Sequence, residues 1–406
     1  MTDNSALSIM LVDDEPFMLK LLGRMLENLG CAAPTAHASG RAALAALAAS
    51  DGPPDLILLD LNMPEMDGIE FVRHLVERRY TGSLILVSGE DERMLQAASK
   101  LVQAHQIRVL GHLRKPATAE ALAALLAQWS PTASGRPRGP QTVYSAAAVR
   151  AAIANGELVN YYQPKVALAD GRVIGVETLV RWRHPVDGMV FPDQFIGVAE
   201  AHGLIDDLTR VVLAAALAQS RAWRDTGLAL RVAINVSMNN LAALDFADFV
   251  ADLTASAGVA PAEIVLEVTE SRLMADLRAP LDILTRLRLK RFRLSIDDFG
   301  TGHSSLTQLR DLPFDQLKID RSFVHGVGED ETLRAIFKAS LTLARQLNME
   351  VVAEGVEDQA DWDYLRRAGC DLAQGYFIAR PMPAADLPGW IEIWEARRHE
   401  LYPPLF

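Results

Sequence analysis

Two adjacent acids, Asp297 and Asp298, close an alternating apolar run of Phe292, Leu294 and Ile296 and lead into Gly300 and Gly302. Side-by-side carboxylates at the end of a buried strand repel each other and resist desolvation, so they call for a cation or strong donors. The glycines let the backbone turn sharply and approach a ligand. Taken alone, Asp-Asp-Phe-Gly is equally an ordinary solvated turn. Repetition separates it from one. Strand-like runs across the C-terminal two-thirds carry Gln163, Glu177, Arg181, Asn235, Glu267, Lys318, Asp320, Glu354 and Gln374 at or near their ends. Glu177, Asn235, Glu267 and Asp297 offer oxygen ligands enough for one Mg²⁺ or Mn²⁺, and Asp297, Asp298 and Glu354 for a second. An aspartate shared between two divalent ions suits phosphodiester hydrolysis. The set has no His/Cys cluster, which disfavours zinc. Lys318 could orient the attacking water; its blander role is a salt bridge with Asp320 or Glu354.

A second set lies in the N-terminal third. Asp13 and Asp14, Asp60, Ser88 and Lys115 each follow a short apolar run. Three carboxylates form a hard-oxygen site suited to Mg²⁺, beside which one aspartate could act as nucleophile toward a phosphoryl group. Ser88 and Lys115 could hold the phosphoryl oxygens. The alternative is ordinary polar strand ends, but five positions in the right order are far more specific than one motif.

The elements that must position these residues follow from periodicity. In the N-terminal third, runs at 7–12, 55–60, 83–88 and 107–113 alternate with amphipathic segments such as 17–29 and 40–49. That alternation predicts a doubly wound, flavodoxin-like parallel sheet with its ligands beyond the carboxyl ends of the strands. Residues 130–140 are rich in Pro, Gly and Ser and read as an interdomain linker. Eight strand-like runs then follow, at 158–163, 173–180, 231–236, 264–269, 292–296, 316–319, 350–353 and 372–376. Helical patterns at 208–224, 277–289, 333–347 and 360–368 intervene. Eight strands over this length predict a TIM-type β/α barrel, with a doubly wound sheet as the competitor. The expected division is a doubly wound unit at 5–128, a linker at 129–144 and a barrel at 145–397.

Composition narrows the classes. The net charge is −12 and the pI about 5.3, with no long basic run, which argues against general binding to DNA or to an anionic membrane. No basic region followed by an apolar core opens the chain, and no apolar stretch approaches the roughly 20 residues that span a bilayer. Cys31 and Cys370 stand far apart with no partner motif. Reduced thiols and a cytoplasmic location are the expectation.

Residues 7–128 resemble the receiver domain of two-component response regulators, through Val12-Asp13-Asp14-Glu15-Pro16, Asp60-x-x-Met63-Pro64-x-Met66-Asp67-Gly68, Ser88 and Lys115-Pro116. The resemblance implies that Asp60 is the phosphoacceptor, that Asp13 and Asp14 help bind Mg²⁺, that Ser88 and Lys115 sense the phosphate, and that Lys115-Pro116 is cis. A histidine kinase or phosphotransfer protein is the implied partner. Position 112 departs from the pattern, with His where the family usually has an aromatic switch residue.

Residues 145–395 resemble the EAL family of cyclic-di-GMP phosphodiesterases. The matching stretches are Tyr162-Gln163-Pro164-Lys165, Glu177-Thr178-Leu179-Val180-Arg181-Trp182, Asn235-Val236-Ser237, Glu267-Val268-Thr269-Glu270, Asp297-Asp298-Phe299-Gly300-Thr301-Gly302, Leu317-Lys318-Ile319-Asp320, Glu354-Gly355-Val356-Glu357 and Gln374-Gly375-Tyr376. The resemblance implies two divalent metals and hydrolysis of cyclic di-GMP to the linear dinucleotide. It makes Glu177, Asn235, Glu267 and Asp297 ligands of the first metal, with Asp298 and Glu354 serving mainly the second. Lys318 and Glu354 are rival candidates for general base. Gln163, Leu179, Arg181 and Gln374 are implied substrate contacts. Glu270, with Asp320 and Glu357, is expected to support the loop Phe299–Ser305. A homodimer or higher homo-oligomer is also implied. Thr178 replaces the alanine of the family triplet and His303 the usual loop tyrosine. The chemistry needs the carboxylate of Glu177 and not its neighbour's methyl, so activity is expected to survive. No Gly-Gly-Asp/Glu-Glu-Phe signature is present, and no cyclase activity is expected. A catalytically dead sensor of the dinucleotide is the competing class, and every implied ligand is in place against it. A regulator acting through the receiver alone would need a DNA-binding element that the sequence does not offer.

Overall fold

The computed structural model describes residues 7–402 apart from 51, 90–91, 106, 128, 130–143, 270–277 and 301–305. Glu270, His303 with most of its loop, and most of the linker fall outside the described residues. The chain divides into two compact units, residues 1–141 and 142–406.

In the first unit β1 (Ile9–Val12), β2 (Thr35–His37), β3 (Leu56–Asp60), β4 (Ser83–Ser88) and β5 (Arg108–Arg114) form a parallel sheet in the order β2-β1-β3-β4-β5. The connecting helices are α1 (Pro16–Asn28), α2 (Gly40–Ala49), α3 (Gly68–Glu77), α4 (Glu92–Ala104) and α5 (Ala119–Leu126). Strands β1, β3 and β4 are buried along their whole length, because helices cover both faces. Period 2 divides the core. Met10, Val12, Ile57, Leu59, Leu84 and Leu86 pack on one face, and Ile9, Leu11, Leu56, Leu58, Ile85 and Val87 on the other. Pairing of β1 with β3 in the register Val12 to Leu59 brings Asp13, just after β1, beside Asp60 at the end of β3.

The second unit opens with α6 (Ala146–Ala154) and the hairpin β6 (Leu158–Ala167) and β7 (Val173–His184), extended by β8 (Gly188–Val190). Then follow α7 (Ile196–Ala201), α8 (Ile205–Asp225), β9 (Arg231–Val236), α9 (Phe246–Ser256), β10 (Ile264–Thr269), α10 (Arg278–Leu289) and β11 (Arg293–Phe299). The remainder is α11 (Leu306–Asp311), β12 (Gln316–Ile319), α12 (Arg321–Val324), α13 (Glu331–Gln346), β13 (Glu350–Ala353), α14 (Gln359–Ala368), β14 (Leu372–Ala373), β15 (Met382–Pro383) and α15 (Leu387–Leu401). Strands β6, β7 and β9 to β14 close into an eight-stranded barrel: β6 pairs with β7 on one side and with β14 on the other. The barrel fold expected from the eight runs is therefore the fold observed.

Its first strand is not as expected. Both partners of β6 run antiparallel to it, whereas the other neighbours in the barrel are parallel. Gln163 thus lies within β6 rather than at its carboxyl end, and reaches the site because it stands opposite Glu177. Glu177 is likewise internal to β7, which runs on to His184 instead of stopping near Val180. Among the described residues no helix is long and apolar enough to cross a membrane.

Candidate active site

The barrel strands deliver their polar residues to one pocket. Gln163, Glu177, Asp297, Asp298, Lys318, Asp320, Arg321, Glu354, Glu357, Gln374 and Tyr376 line it. Alternation along a strand would send Asp297 and Asp298 to opposite faces. The register of β11 against β12 shifts between Ile296 and Phe299, and Asp298 takes a left-handed φ of 55°. This irregularity turns both carboxylates into the pocket, at the modest strain of a non-glycine residue in that region.

Lys318 is the hub. It is 1 % exposed, and its Nζ lies 2.6 Å from Glu354, 2.8 Å from Glu267, 3.0 Å from Asp297 and 3.5 Å from Glu177. Burial opposes its charge, but Asp297, Glu177, Glu267 and Glu354 outweigh burial and hold the ammonium well above the ordinary lysine range. The salt bridge to Glu354 considered from sequence is thus one of several. Asp320 does not share in it; its carboxylate caps α12 by accepting from Ser322 N at 2.9 Å.

Lys165 is a second buried cation, with Nζ 2.5 Å from Glu267 Oε1. Sequence reasoning gave it no role. The available signal was its spacing, because Lys165 follows Gln163 by two residues and so shares its face of β6. Glu177 accepts from Asn235 Nδ2 at 2.8 Å and Gln374 Nε2 at 2.6 Å. Burial pushes the Glu177 carboxyl up, but Lys318 and Lys165 prevail and bring it down to about 2. Burial raises Glu267, and it carries Asp298 to about 6 and Glu354 to about 8, with the Asp297 charge adding to it at both.

Ligand atoms of Glu177, Glu267 and Asp297 lie within 4.8 Å of one another, as do those of Asp297, Asp298 and Glu354. When ionised, these five carboxylates outnumber the two lysines by three. Gln374 Oε1 is buried with no protein partner among the described residues. Excess negative charge and an orphaned amide oxygen both fit hard divalent cations. A third acidic group, His325 with Asp358 and Asp361, fits less well, since both oxygens of Asp361 already accept from Gly326 and Gly328 N–H groups.

The remaining positions lie around the pocket. Gln163 accepts from Gln374 Nε2 and donates to Ala379 O. Asn235 is exposed and lines a neighbouring cavity, while its Nδ2 reaches Glu177. Leu179 and Thr178 line the same apolar cavity, of about 230 Å³, together with Pro192, Ile196, Glu200 and Ser237. Thr178 therefore does not face the carboxylates. Arg181 lies farther along β7, its guanidinium 5.0 Å from the Phe191 ring centroid and 5.8 Å from that of Tyr161. Glu357 pairs with Arg321. At the mouth, Arg380 lies over the half-exposed ring of Tyr376, a pair that sequence reasoning also missed.

Gly375 sets the packing here. A Cβ at this position would fall 2.2 Å from Val356 O and 2.3 Å from Val356 N. Backbone cannot give way as a flexible side chain can, so Gly375→Ala must displace the segment that carries Gln374 against Glu177. The expected result is at least a tenfold loss of turnover and a stability loss of about 1–3 kcal/mol, checked by initial rates and denaturant titration.

In the first unit Lys115 Nζ lies 2.8 Å from Asp60, 3.0 Å from Asp13 and 3.2 Å from Glu15. Burial opposes the Lys115 charge, but hydrogen bonds and charge from Asp60 and Asp13 raise it above the usual lysine range. Ligand atoms of Asp13, Asp14 and Asp60 lie within 4.8 Å of one another, again fitting a divalent cation. Lys115 N donates to Ser88 O, and the Lys115–Pro116 bond is cis. The sheet order places Asp60, Ser88 and Lys115 on successive neighbouring strands or just beyond them.

Each unit thus gathers its carboxylates and a lysine into one acidic site. The EAL domain family model matches residues 146–381 and the response regulator receiver domain model residues 9–127. The chain belongs to the EAL family and carries a receiver domain ahead of its EAL domain. It is 35% identical over 379 residues to the cyclic di-GMP phosphodiesterase RocR of Pseudomonas aeruginosa, covering 93% of this chain and 96% of RocR. It is 43% identical over 269 residues to the cyclic di-GMP phosphodiesterase NbdA of the same organism, covering 66% of this chain but 34% of NbdA. Among solved structures, the PaMucR phosphodiesterase in complex with c-di-GMP matches with a TM-score of 0.56 and 43% identity, over 59% of this chain and 97% of that one.

Proposed function

We propose that this chain is a response regulator whose barrel hydrolyses one phosphodiester of cyclic di-GMP to the linear dinucleotide. The observation that carries the reading is the buried cluster of Glu177, Glu267, Asp297, Asp298 and Glu354 gathered around Lys318. Similarity to cyclic di-GMP phosphodiesterases over nearly the whole chain supports the choice of substrate.

Glu177, Asn235, Glu267 and Asp297 would hold one Mg²⁺ or Mn²⁺, and Asp297, Asp298 and Glu354 a second. Such ions supply Lewis-acid stabilisation of the phosphoryl oxygens and activation of water. They would also offset the surplus of carboxylate charge that otherwise repels an anionic diester. The chain's own groups do the rest. Lys318 donates to and orients the attacking water, and Glu354, 2.6 Å from Lys318, stands where that proton can be taken up. Gln374 and Gln163 hold Glu177 in place, and Arg181 and Leu179 flank the path of the substrate. The catalytically dead sensor reading has no missing carboxylate to recommend it. Chromatography of cyclic di-GMP incubated with the full chain and Mg²⁺ or Mn²⁺ tests the proposal. The linear dinucleotide is the expected product, and nucleotide bound but returned intact would favour the sensor.

The regulatory half of the proposal places the receiver at 5–128, the linker at 129–144 and the hydrolase at 145–397. A phosphorylated histidine kinase or phosphotransfer protein donates to Asp60, with Mg²⁺ held by Asp13, Asp14 and Asp60. Phosphorylation replaces the Lys115–Asp60 pairing and shifts turnover or homo-oligomer assembly. Beryllofluoride, acting as a phosphoryl mimic, is expected to change turnover or sedimentation of the wild type and to leave Asp60→Asn unaffected. Wild type unmoved in both readouts contradicts the coupling.

A further inference from the structure

Glu267 is held from two sides. It is 1 % exposed, with Lys165 Nζ 2.5 Å from Oε1 and Lys318 Nζ 2.8 Å from Oε2. The two cations differ in their surroundings. Lys318 is shared among Glu177, Asp297 and Glu354 as well, inside the cluster that would receive divalent ions. Lys165 is 4 % exposed, and among the described residues its one ion pair is with Glu267. It comes from β6, the inverted strand, two residues beyond Gln163 and in register with Gly175. Glu177, Glu267 and Asp297 would hold a divalent cation at the end of Glu267 that Lys318 shares, with Lys165 on the other oxygen.

We propose that Lys165 is a positioning residue: by occupying Oε1 it fixes the Glu267 carboxylate and presents Oε2, as a single donor, to the cation that the acidic cluster takes. Partners that orient a metal ligand without touching the metal typically contribute 10–100-fold to metal affinity. Its buried positive charge by itself opposes a neighbouring cation, so a net loss of affinity on removing it isolates the orienting role. The inference rests on the metal-dependent hydrolase reading.

The test is Mn²⁺ binding to the nucleotide-free full chain, followed by the paramagnetic resonance of free Mn²⁺ and carried out throughout with Asp13→Asn and Asp14→Asn to remove the cation site of the first unit, for native Lys165, Lys165→Met, Lys165→Gln and Lys165→Arg. Lys165→Met is expected to weaken binding about tenfold or more. Lys165→Gln keeps a neutral donor for Oε1 and is expected to weaken it less, and Lys165→Arg to stay close to wild type. At saturating Mn²⁺, KM for cyclic di-GMP is expected to be unchanged in all three. If Lys165→Met does not fold, the ordering of Gln and Arg decides the matter. Wild-type Mn²⁺ affinity in Met and Gln alike, with only a lower melting temperature, would overturn the inference and leave the hydrolase reading intact. A chain with native Lys165 whose barrel binds no Mn²⁺ would overturn both.

Discussion

Replacing Lys318 with methionine is expected to lower turnover of cyclic di-GMP by about 10²–10³-fold, the usual cost of removing one preorganised donor from a desolvated site. The side chain is similar in length, so the effect is that of charge and hydrogen bonding rather than of a cavity. Four carboxylates lose the cation they share within 3.5 Å. Breaking a buried ion pair from one side costs about 3–5 kcal/mol because the remaining charge is stranded. The metal-free variant is therefore expected to unfold at lower denaturant concentration than the metal-free wild type, and added Mn²⁺ should recover much of that difference. Rapid-quench turnover and urea titration with and without Mn²⁺ measure both effects. A variant within a few-fold of wild-type turnover would show that Lys318 is structural only.

The second large effect is expected at Trp182, away from the chemistry. It is 1 % exposed, its ring centroid 4.5 Å from that of Tyr144, 4.9 Å from His184 and 5.9 Å from Phe195, and its Nε1 donates to Glu157 at 2.8 Å. Trp182 follows Arg181 on β7, the strand that also carries Glu177, so this cluster anchors the far end of a catalytic strand. Trp182→Ala is expected to destabilise the barrel by about 3–5 kcal/mol. Trp182→Phe keeps ring packing and loses the Glu157 hydrogen bond, which is expected to cost about 1 kcal/mol. The barrel transition of the full chain in urea gives both values, and equal losses in the two variants would contradict this account of the cluster.

Much of the site was legible because strands encode direction of burial. Phe292, Leu294 and Ile296 mark a strand, and the acids after it mark its end. The same reading in order located β9, β10, β12 and β13. The inversion of β6 is not legible in the apolar pattern because alternation is the same in either direction. The signal was connection length: residues 168–172 are too few for a parallel crossover and require a hairpin. The shared orientation of Asp297 and Asp298 depends on a register shift and a left-handed residue, which no pattern of side-chain types announces. Lys318 stands near the end of its strand, whereas Lys165 lies inside β6, beyond the point at Gln163 where the sequence pattern ends that run. The excess of acids over lysines is a property of the assembled barrel and becomes countable only there.

The most direct measurement is turnover of cyclic di-GMP by the purified full chain after exhaustive chelation and again after restoring Mg²⁺ or Mn²⁺, with Glu177→Ala alongside. The account predicts no hydrolysis after chelation, recovery of the linear dinucleotide with either or both ions, and at least a 10³-fold deficit in Glu177→Ala. Hydrolysis that survives chelation, or that Glu177→Ala retains, would contradict the assignment of this acidic cluster as the catalytic centre.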